Sequence, residues 1–324
     1  MKTGPVLISA TVAILGSLLI RRIIRIRRSR ACWTALAQSL GLHNSPIGRI
    51  RIALTGASSG IGRACMELLK PYGSIEFISA GRRPCSPGHL QLNLSDPRSV
   101  KTTVNDLMNQ WYRRPGHLLP GSDIFVNNAG VFYGESSNDV VLTNLFSPCY
   151  ITEAIATRFT SQNLKSRQFR FVQVVSRLEK NSTLDRESLP DWLTNCLSDS
   201  RRSVPVNLYA DTKRALILHT AFASQSSQKS VSYIAVTPGM VNTPLGKAGV
   251  SRFIWWISAP IRFLLLRHPI EGAVSVLYAA FGYPEETGIY TADPTEVLER
   301  ISETRDIRAG EIVSERVNHF FSSI

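Results

Sequence analysis

Thr55-Gly56-Ala57-Ser58-Ser59-Gly60-Ile61-Gly62 decides how this chain folds. It follows a short alternating run, Ile50–Leu54, and opens a helical stretch, Ile61–Lys70, that stops before Pro71-Tyr72-Gly73. Glycines there let the chain turn tightly and let a pyrophosphate approach the backbone N–H groups of a helix N-terminus. The spacing is G-x-x-x-G-x-G, not the G-x-G-x-x-G of the dinucleotide fingerprint. Its position between the first strand and the first helix is where a nucleotide belongs in a doubly wound sheet.

The same alternation continues downstream. Strand-like runs at Ile75–Ser79, Leu90–Leu94, Ile124–Val126, Phe171–Val175 and Val231–Val236 are separated by helical stretches at Val100–Tyr112, Val140–Phe159 and Leu208–Ser224. This predicts an α/β protein with a Rossmann-type doubly wound parallel sheet, one catalytic domain carrying an amino-terminal membrane anchor. Arg177–Val204 reads as a polar loop beside the active site. The expected division is an anchor with a basic flank over 1–30, a linker over 31–49, the catalytic domain over 50–292 and a tail over 293–324.

Seven of the cations behind the formal charge of +13 lie in residues 1–30, which hold no acid. The remaining +6 is spread too thinly for a nucleic-acid stripe, so no nucleic-acid partner is expected. Pro5–Ile20 is a run of sixteen apolar and small residues. A membrane span usually takes about 17–25, and the arginines Arg21 to Arg30 relax that demand by snorkelling. Because they follow the run, the charge rule places the rest of the chain in the cytosol. The expected location is the endoplasmic reticulum membrane, with the mitochondrial outer membrane or lipid droplets as alternatives; a buried core helix with a solvated basic end is the rival reading. Five scattered cysteines without a C-x-x-C pair fit a reducing compartment, and no metal site is expected.

Tyr209 and Lys213 stand four apart on a predicted helix and so share a face. A phenol with a pKa near ~10 is a poor acid–base group at neutral pH. An ammonium at ~4 Å, worth up to ~4 kcal/mol at an effective dielectric of 20, is expected to lower that pKa by more than about one unit. After the second strand comes Arg82 instead of an acid, which suits the 2′-phosphate of NADP better than the bare ribose of NAD, and Arg63 adds to that charge.

Together with Asn127-Asn128-Ala129-Gly130, Asn144, Ser176 and Pro238-Gly239-Met240-Val241-Asn242-Thr243, these elements resemble the short-chain dehydrogenase/reductase family, in the family's order and over roughly residues 50–290. The resemblance implies that Tyr209 is the proton donor or acceptor, that Lys213 tunes it and holds the nicotinamide ribose, that Ser176 binds the substrate oxygen, and that Asn144 holds a water leading to Lys213. It further implies a cofactor, NADP(H) over NAD(H), bound along Gly56, Ser58, Ser59, Gly60, Ile61, Gly62, Arg63 and Arg82. Asn93, Leu94, Asn128, Ala129 and Gly130 fall on its adenine side, and Pro238, Gly239, Val241 and Thr243 flank the nicotinamide. Asn93 replaces a usual aspartate, Ser147 a common glycine and Thr212 a common serine.

The anchor and the Ser176–Tyr209 spacing resemble the membrane-bound, retinol-dehydrogenase-like branch. Phe253–Leu266, broken by Pro260 and Arg262, is too short to span. In the family that region covers the substrate pocket, so it reads either as an apolar lid or as core packing. The substrate expected from this is lipophilic, a retinoid, steroid or lipid aldehyde or ketone, with a small polar carbonyl or an idle nucleotide-sensing scaffold as rivals. Homo-oligomerisation is left open.

Overall fold

The computed structural model of the chain describes residues 4–44, 50–113, 121–161, 167–198, 207–226, 230–247, 251–282, 288–290, 297–299 and 306–324. Short, nearly continuous apolar runs make the strands, as a parallel sheet covered on both faces requires. Strands β1 (Ile50–Thr55), β2 (Ile75–Gly81), β3 (Leu90–Gln91), β4 (Gly121–Asn127), β5 (Arg167–Val174), β6 (Val231–Val236), β7 (Gly288–Tyr290) and β8 (Val297–Glu299) form one sheet. Its order among the described residues is β3-β2-β1-β4-β5-β6-β7-β8. Every pairing is parallel except β7 with β8.

Helices α1 (Gly4–Ser39), α2 (Gly60–Leu69), α3 (Pro97–Arg113), α4 (Ser137–Val141), α5 (Ser147–Ser161), α6 (Leu189–Ser198), α7 (Leu208–Ser226), α8 (Arg252–Ile257), α9 (Ala259–Leu265), α10 (Pro269–Phe281) and α11 (Ile307–Ser322) complete the described elements. Two cores result. Residues of α3, α5, α7 and α11 pack on one face of the sheet, and residues of α1, α2 and α10 on the other.

Several elements depart from the sequence reading. The helix expected over Val140–Phe159 is interrupted by a π-helical turn, Leu142–Phe146. The expected loop Arg177–Val204 contains a 3₁₀ turn, Arg177–Asn181, and helix α6. Amphipathic residues such as Leu189 and Leu193 bury there, a signal masked by the polar residues around them.

The supposed linker contributes three buried residues to the core. Helix α1 runs through Ser39, and Trp33, Ala37 and Leu42 are buried. Trp33 lies edge-on to Tyr72 at 5.8 Å and 5.7 Å from Phe281. Residues 45–49 of that linker lie outside the described residues. Two arginines of the basic flank also contact the domain, Arg22 from a buried position and Arg25 from an exposed one. Arg22 is 2% exposed, and Arg25 pairs with the buried Glu271 at 3.4 Å. Among the described residues, no helix is long and apolar enough to cross a membrane.

The tail is structural as well. Ala309, Val313, Val317 and Phe321 of α11 are buried. Gly310 lies so close to α7 that a Cβ there would meet the Leu218 carbonyl oxygen at 2.2 Å. Glu153 accepts hydrogen bonds from Ser314 and Asn318 of α11, each at 2.6 Å, and pairs with the buried His219. At the opposite edge of the sheet from the glycine turn, Asp123 binds Arg51 and Arg167 through contacts of 2.5–2.6 Å, all three buried.

Candidate active site

Strands β1, β4, β5 and β6 all end at the same edge, so the segments that follow them converge there. Gly56, Asn128, Ser176 and Pro238 each come within two residues of such an end. A crevice outside the carboxyl ends of parallel strands is where this architecture takes ligands.

The turn after β1 is held from behind. The Thr55 hydroxyl accepts from the amides of Asn128 and Ala129, both at 3.0 Å, and the Asn128 side chain donates to the Thr55 carbonyl at 2.9 Å. Asn128 thus spends its amide on the turn. Gly56 and Gly60 take φ of +72° and +54°. Gly62 admits nothing larger, since a Cβ would sit 2.4 Å from the Gly56 carbonyl oxygen and 2.7 Å from the Asn128 amide. Ser59 caps α2 without a side-chain hydrogen bond, so Ser58, Ser59, Gly60 and Ile61 present an uncapped helix N-terminus to the crevice.

Beside that turn, Ala57, Ser58, Arg63, Met66, Arg83, Pro84 and Cys85 line a groove of about 390 Å³. Arg83 is among the lining residues and Arg82, chosen from the sequence, is not; both side chains are exposed. Arg63 also pairs with Glu67 at 3.0 Å on the surface. Asn93 keeps its side-chain oxygen for Ser95, and Leu94, buried, accepts from the Ser147 hydroxyl at 2.7 Å. That bond explains why a serine is tolerated at 147.

Tyr209, Lys213, Ser176 and Asn144 come together around Gly130. Tyr209 is 6% exposed, and the Ser176 side chain hydrogen-bonds to it. The Lys213 ammonium lies 5.8 Å from the Tyr209 ring centroid and donates to the Val174 carbonyl at 2.9 Å. A Cβ on Gly130 would be 3.2 Å from the Asn144 side-chain oxygen and 3.7 Å from Lys213 Nζ. Asn144 is fully buried.

The electrostatics differ from the sequence expectation. Burial pushes the Tyr209 phenol up to about 12, against the pull of its bond to Ser176. Burial pulls Lys213 down to about 8. Desolvation is the largest influence on Tyr209, so the lowered phenol pKa expected from the sequence is reversed. Tyr209 therefore rests as a phenol, ready to give a proton.

On the far side, Gly239 takes φ of +80°, and Thr243 packs its methyl against Gly60, 3.1 Å from where a Cβ would stand. Val241 forms a parallel bridge with Arg267. Pro238 is buried, so the segment lies against the glycine turn. Sequence reasoning missed Phe132, whose ring stacks on Tyr209 at 4.7 Å and 28°. Its place two residues after Asn-Asn-Ala-Gly was the available signal.

No protein-family model matches the chain. It is 24% identical over 266 residues to a short-chain dehydrogenase/reductase of Phomopsis amygdali, covering 72% of this chain and 73% of that one. It is 25% identical over 278 residues to dehydrogenase/reductase SDR family member 13 of Bos taurus, covering 79% and 69%. Among solved structures, it resembles a 3-alpha-hydroxysteroid dehydrogenase from Pseudomonas sp. B-0831 complexed with NADH, with a TM-score of 0.57 and 22% identity over 75% of this chain and 95% of that one.

Proposed function

We propose that this chain, which belongs to the short-chain dehydrogenase/reductase family, interconverts a carbonyl and an alcohol on an apolar substrate with a nicotinamide dinucleotide, NADP(H) in preference to NAD(H). The observation that carries the reading is the buried Tyr209 phenol, hydrogen-bonded to Ser176 and backed by Lys213. The uncapped N-terminus of α2 and the groove holding Arg63 and Arg83 fit the phosphates of such a cofactor. When bound, that cofactor supplies or accepts the hydride.

In the reductive direction Tyr209 gives its proton to the substrate oxygen, and Ser176 donates a hydrogen bond to the same atom. Lys213 favours the phenolate that results, and Asn144 and Gly130 hold the space around its ammonium. Phe132, stacked on Tyr209, and Tyr133 beside it add aromatic surface next to the phenol. The apolar substrate class rests on exposed residues nearby in the chain: Phe253 is 69% exposed, Trp256 76% and Leu265 63%. With Ile14, Ile20 and Ile24 of α1, also exposed, they support contact with a membrane, the endoplasmic reticulum being the proposed one.

The test is a panel of retinoid, steroid and fatty aldehydes and ketones, assayed with purified protein and NADPH or NADH. Turnover of apolar members that Tyr209→Phe abolishes while cofactor binding persists is the expected result. Tyr209→Phe activity within tenfold of the wild type would overturn the assigned role, and turnover confined to small polar carbonyls would overturn the substrate class.

A further inference from the structure

We infer that Arg22 is a positioning residue, and that through it the amino-terminal helix forms part of the roof over the substrate site. The inference rests on the function proposed above. Arg22 is 2% exposed, on a helix whose neighbouring Arg21, Ile23 and Ile24 are exposed. Its guanidinium donates to the carbonyls of Phe263 and Leu266, the latter at 2.8 Å. It also lies over the Phe263 ring, 4.1 Å from the centroid. The last carbonyls of a helix have no partner within it, so a cation there both caps α9 and faces the negative end of its dipole.

What Arg22 holds is one stapled unit. The Arg262 guanidinium sits 3.5 Å from the Trp255 ring centroid and donates to the Trp255 carbonyl and the Ser258 hydroxyl, fastening α9 to α8. At its other end the unit joins the site. The Arg267 amide donates to the Met240 carbonyl, and the Asn242 amide to the Arg267 carbonyl, both at 2.9 Å. The next residue, Thr243, packs against Gly60 of the glycine turn. Leu266, whose carbonyl Arg22 holds, is thus followed directly by Arg267, which ties into the strip that flanks the cofactor turn. A second tie, Arg25 to Glu271, holds α1 to the start of α10 just beyond.

The geometry gives the contact a direction. Loss of Arg22 frees the α8–α9 roof before it disturbs the core, because Trp33 and Ala37 still dock α1. On the function proposed above, α8 and α9 face the substrate, whereas the cofactor lies along the strand ends. Substrate affinity is therefore affected more than cofactor affinity or the proton-transfer step.

The experiment compares the full-length wild type with Arg22→Met, which keeps an apolar stem over Phe263 without the donors, and Arg22→Ala. Two readouts are taken: amide hydrogen exchange over residues 259–266, and steady-state kinetics with the best carbonyl of the panel and NADPH. Expected are at least tenfold faster exchange in that segment, a fivefold or greater rise in KM for the carbonyl, and kcat and cofactor KM within twofold. Added guanidinium should restore part of the KM in Arg22→Ala. Unchanged exchange in both variants would overturn the latch whether or not the protein turns over a carbonyl. Faster exchange with unchanged KM would overturn the positioning role. A wild type with no carbonyl turnover would overturn the proposed function and the positioning role with it, while the exchange readout still decides the latch.

Discussion

Asn144 and Val131 exchange two hydrogen bonds: the Asn144 amide donates to the Val131 carbonyl at 2.7 Å, and the Val131 amide donates to the Asn144 side-chain oxygen at 2.9 Å. The contact joins the π-helical turn 142–146 to the segment after β4, and so sets the distance between Gly130 and Lys213. π-turns commonly mark functional sites, and here the turn rotates Asn144 toward the chain that follows Gly130. Asn144→Leu removes both bonds in a fully buried place and leaves two backbone groups unpaired. A stability loss of about 2–4 kcal/mol is expected from denaturant melts. Turnover should fall at least tenfold even at temperatures where the variant remains folded.

Lys213 gives the pH dependence. Its folded pKa of about 8 lies below the ordinary 10.5. Turnover in the reductive direction should therefore fall as pH rises through about 8, where the ammonium is lost. Stability runs the other way. Between about pH 8 and 10.5 the unfolded chain holds the extra proton, so stability rises with pH across that window. Lys213→Met removes the burial penalty and should stabilise the protein by about 1–3 kcal/mol at pH 7 while abolishing turnover. A melting temperature that drops at pH 7 would contradict this account of Lys213.

Arg83, rather than Arg82, should govern the choice of dinucleotide. A charge-assisted phosphate contact contributes about 1.5–3 kcal/mol, roughly ten- to a hundredfold in affinity. Arg83→Ala should narrow the NADPH-over-NADH preference by at least tenfold, and Arg82→Ala by less than threefold. Fluorescence titrations of both variants with both cofactors check it, and equal effects would show that the groove does not select the phosphate.

The parallel sheet was legible because a strand's apolar run and a glycine turn are local signals. Val231–Val236 matches its strand end for end. Tyr209 and Lys213 stood out because they lie four apart on one helix, and Ser176 because it follows a strand. The rest depended on tertiary packing that no local pattern records. Trp33 and Val313 look like any apolar residue in a charged segment until their partners Tyr72 and the α7 surface are brought to them.

Asp123 is a structural prediction that follows from charge alone. It is the shared carboxylate for Arg51 and Arg167, whose side chains are at most 3% exposed. Asp123→Asn removes the carboxylate that two buried guanidinium groups share and should destabilise the fold by about 3–5 kcal/mol. Combining it with Arg51→Met should recover part of that loss. Denaturant unfolding of the three variants measures it.

Truncation separates a helix that merely trails from the domain from one that completes it. Removing residues 1–20 leaves in place every residue of α1 described as buried and should leave the melting temperature within about 2 °C of the full chain. Removing 1–30 also takes Arg22 and Arg25, whose contacts lie on α9 and α10, yet Trp33 and Ala37 stay in place. Removing 1–44 takes Trp33, Ala37 and Leu42 together and opens the core between α2 and α10, where Tyr72 and Phe281 lose their aromatic neighbour. Deleting a buried tryptophan alone costs about 3–5 kcal/mol, a large part of a domain's stability. The 1–44 deletion should accordingly be insoluble or melt far below the others, and Trp33→Ala in the full chain should reproduce most of that loss. The reason lies in geometry: Tyr278 donates to the Cys32 carbonyl at 3.1 Å and Trp33 to the Leu68 carbonyl at 3.3 Å, so the helix end closes hydrogen bonds as well as apolar surface. Should the 1–44 deletion melt with the full-length protein, residues 31–44 would be a linker after all, and their packing on α2 and α10 would contribute nothing to the fold.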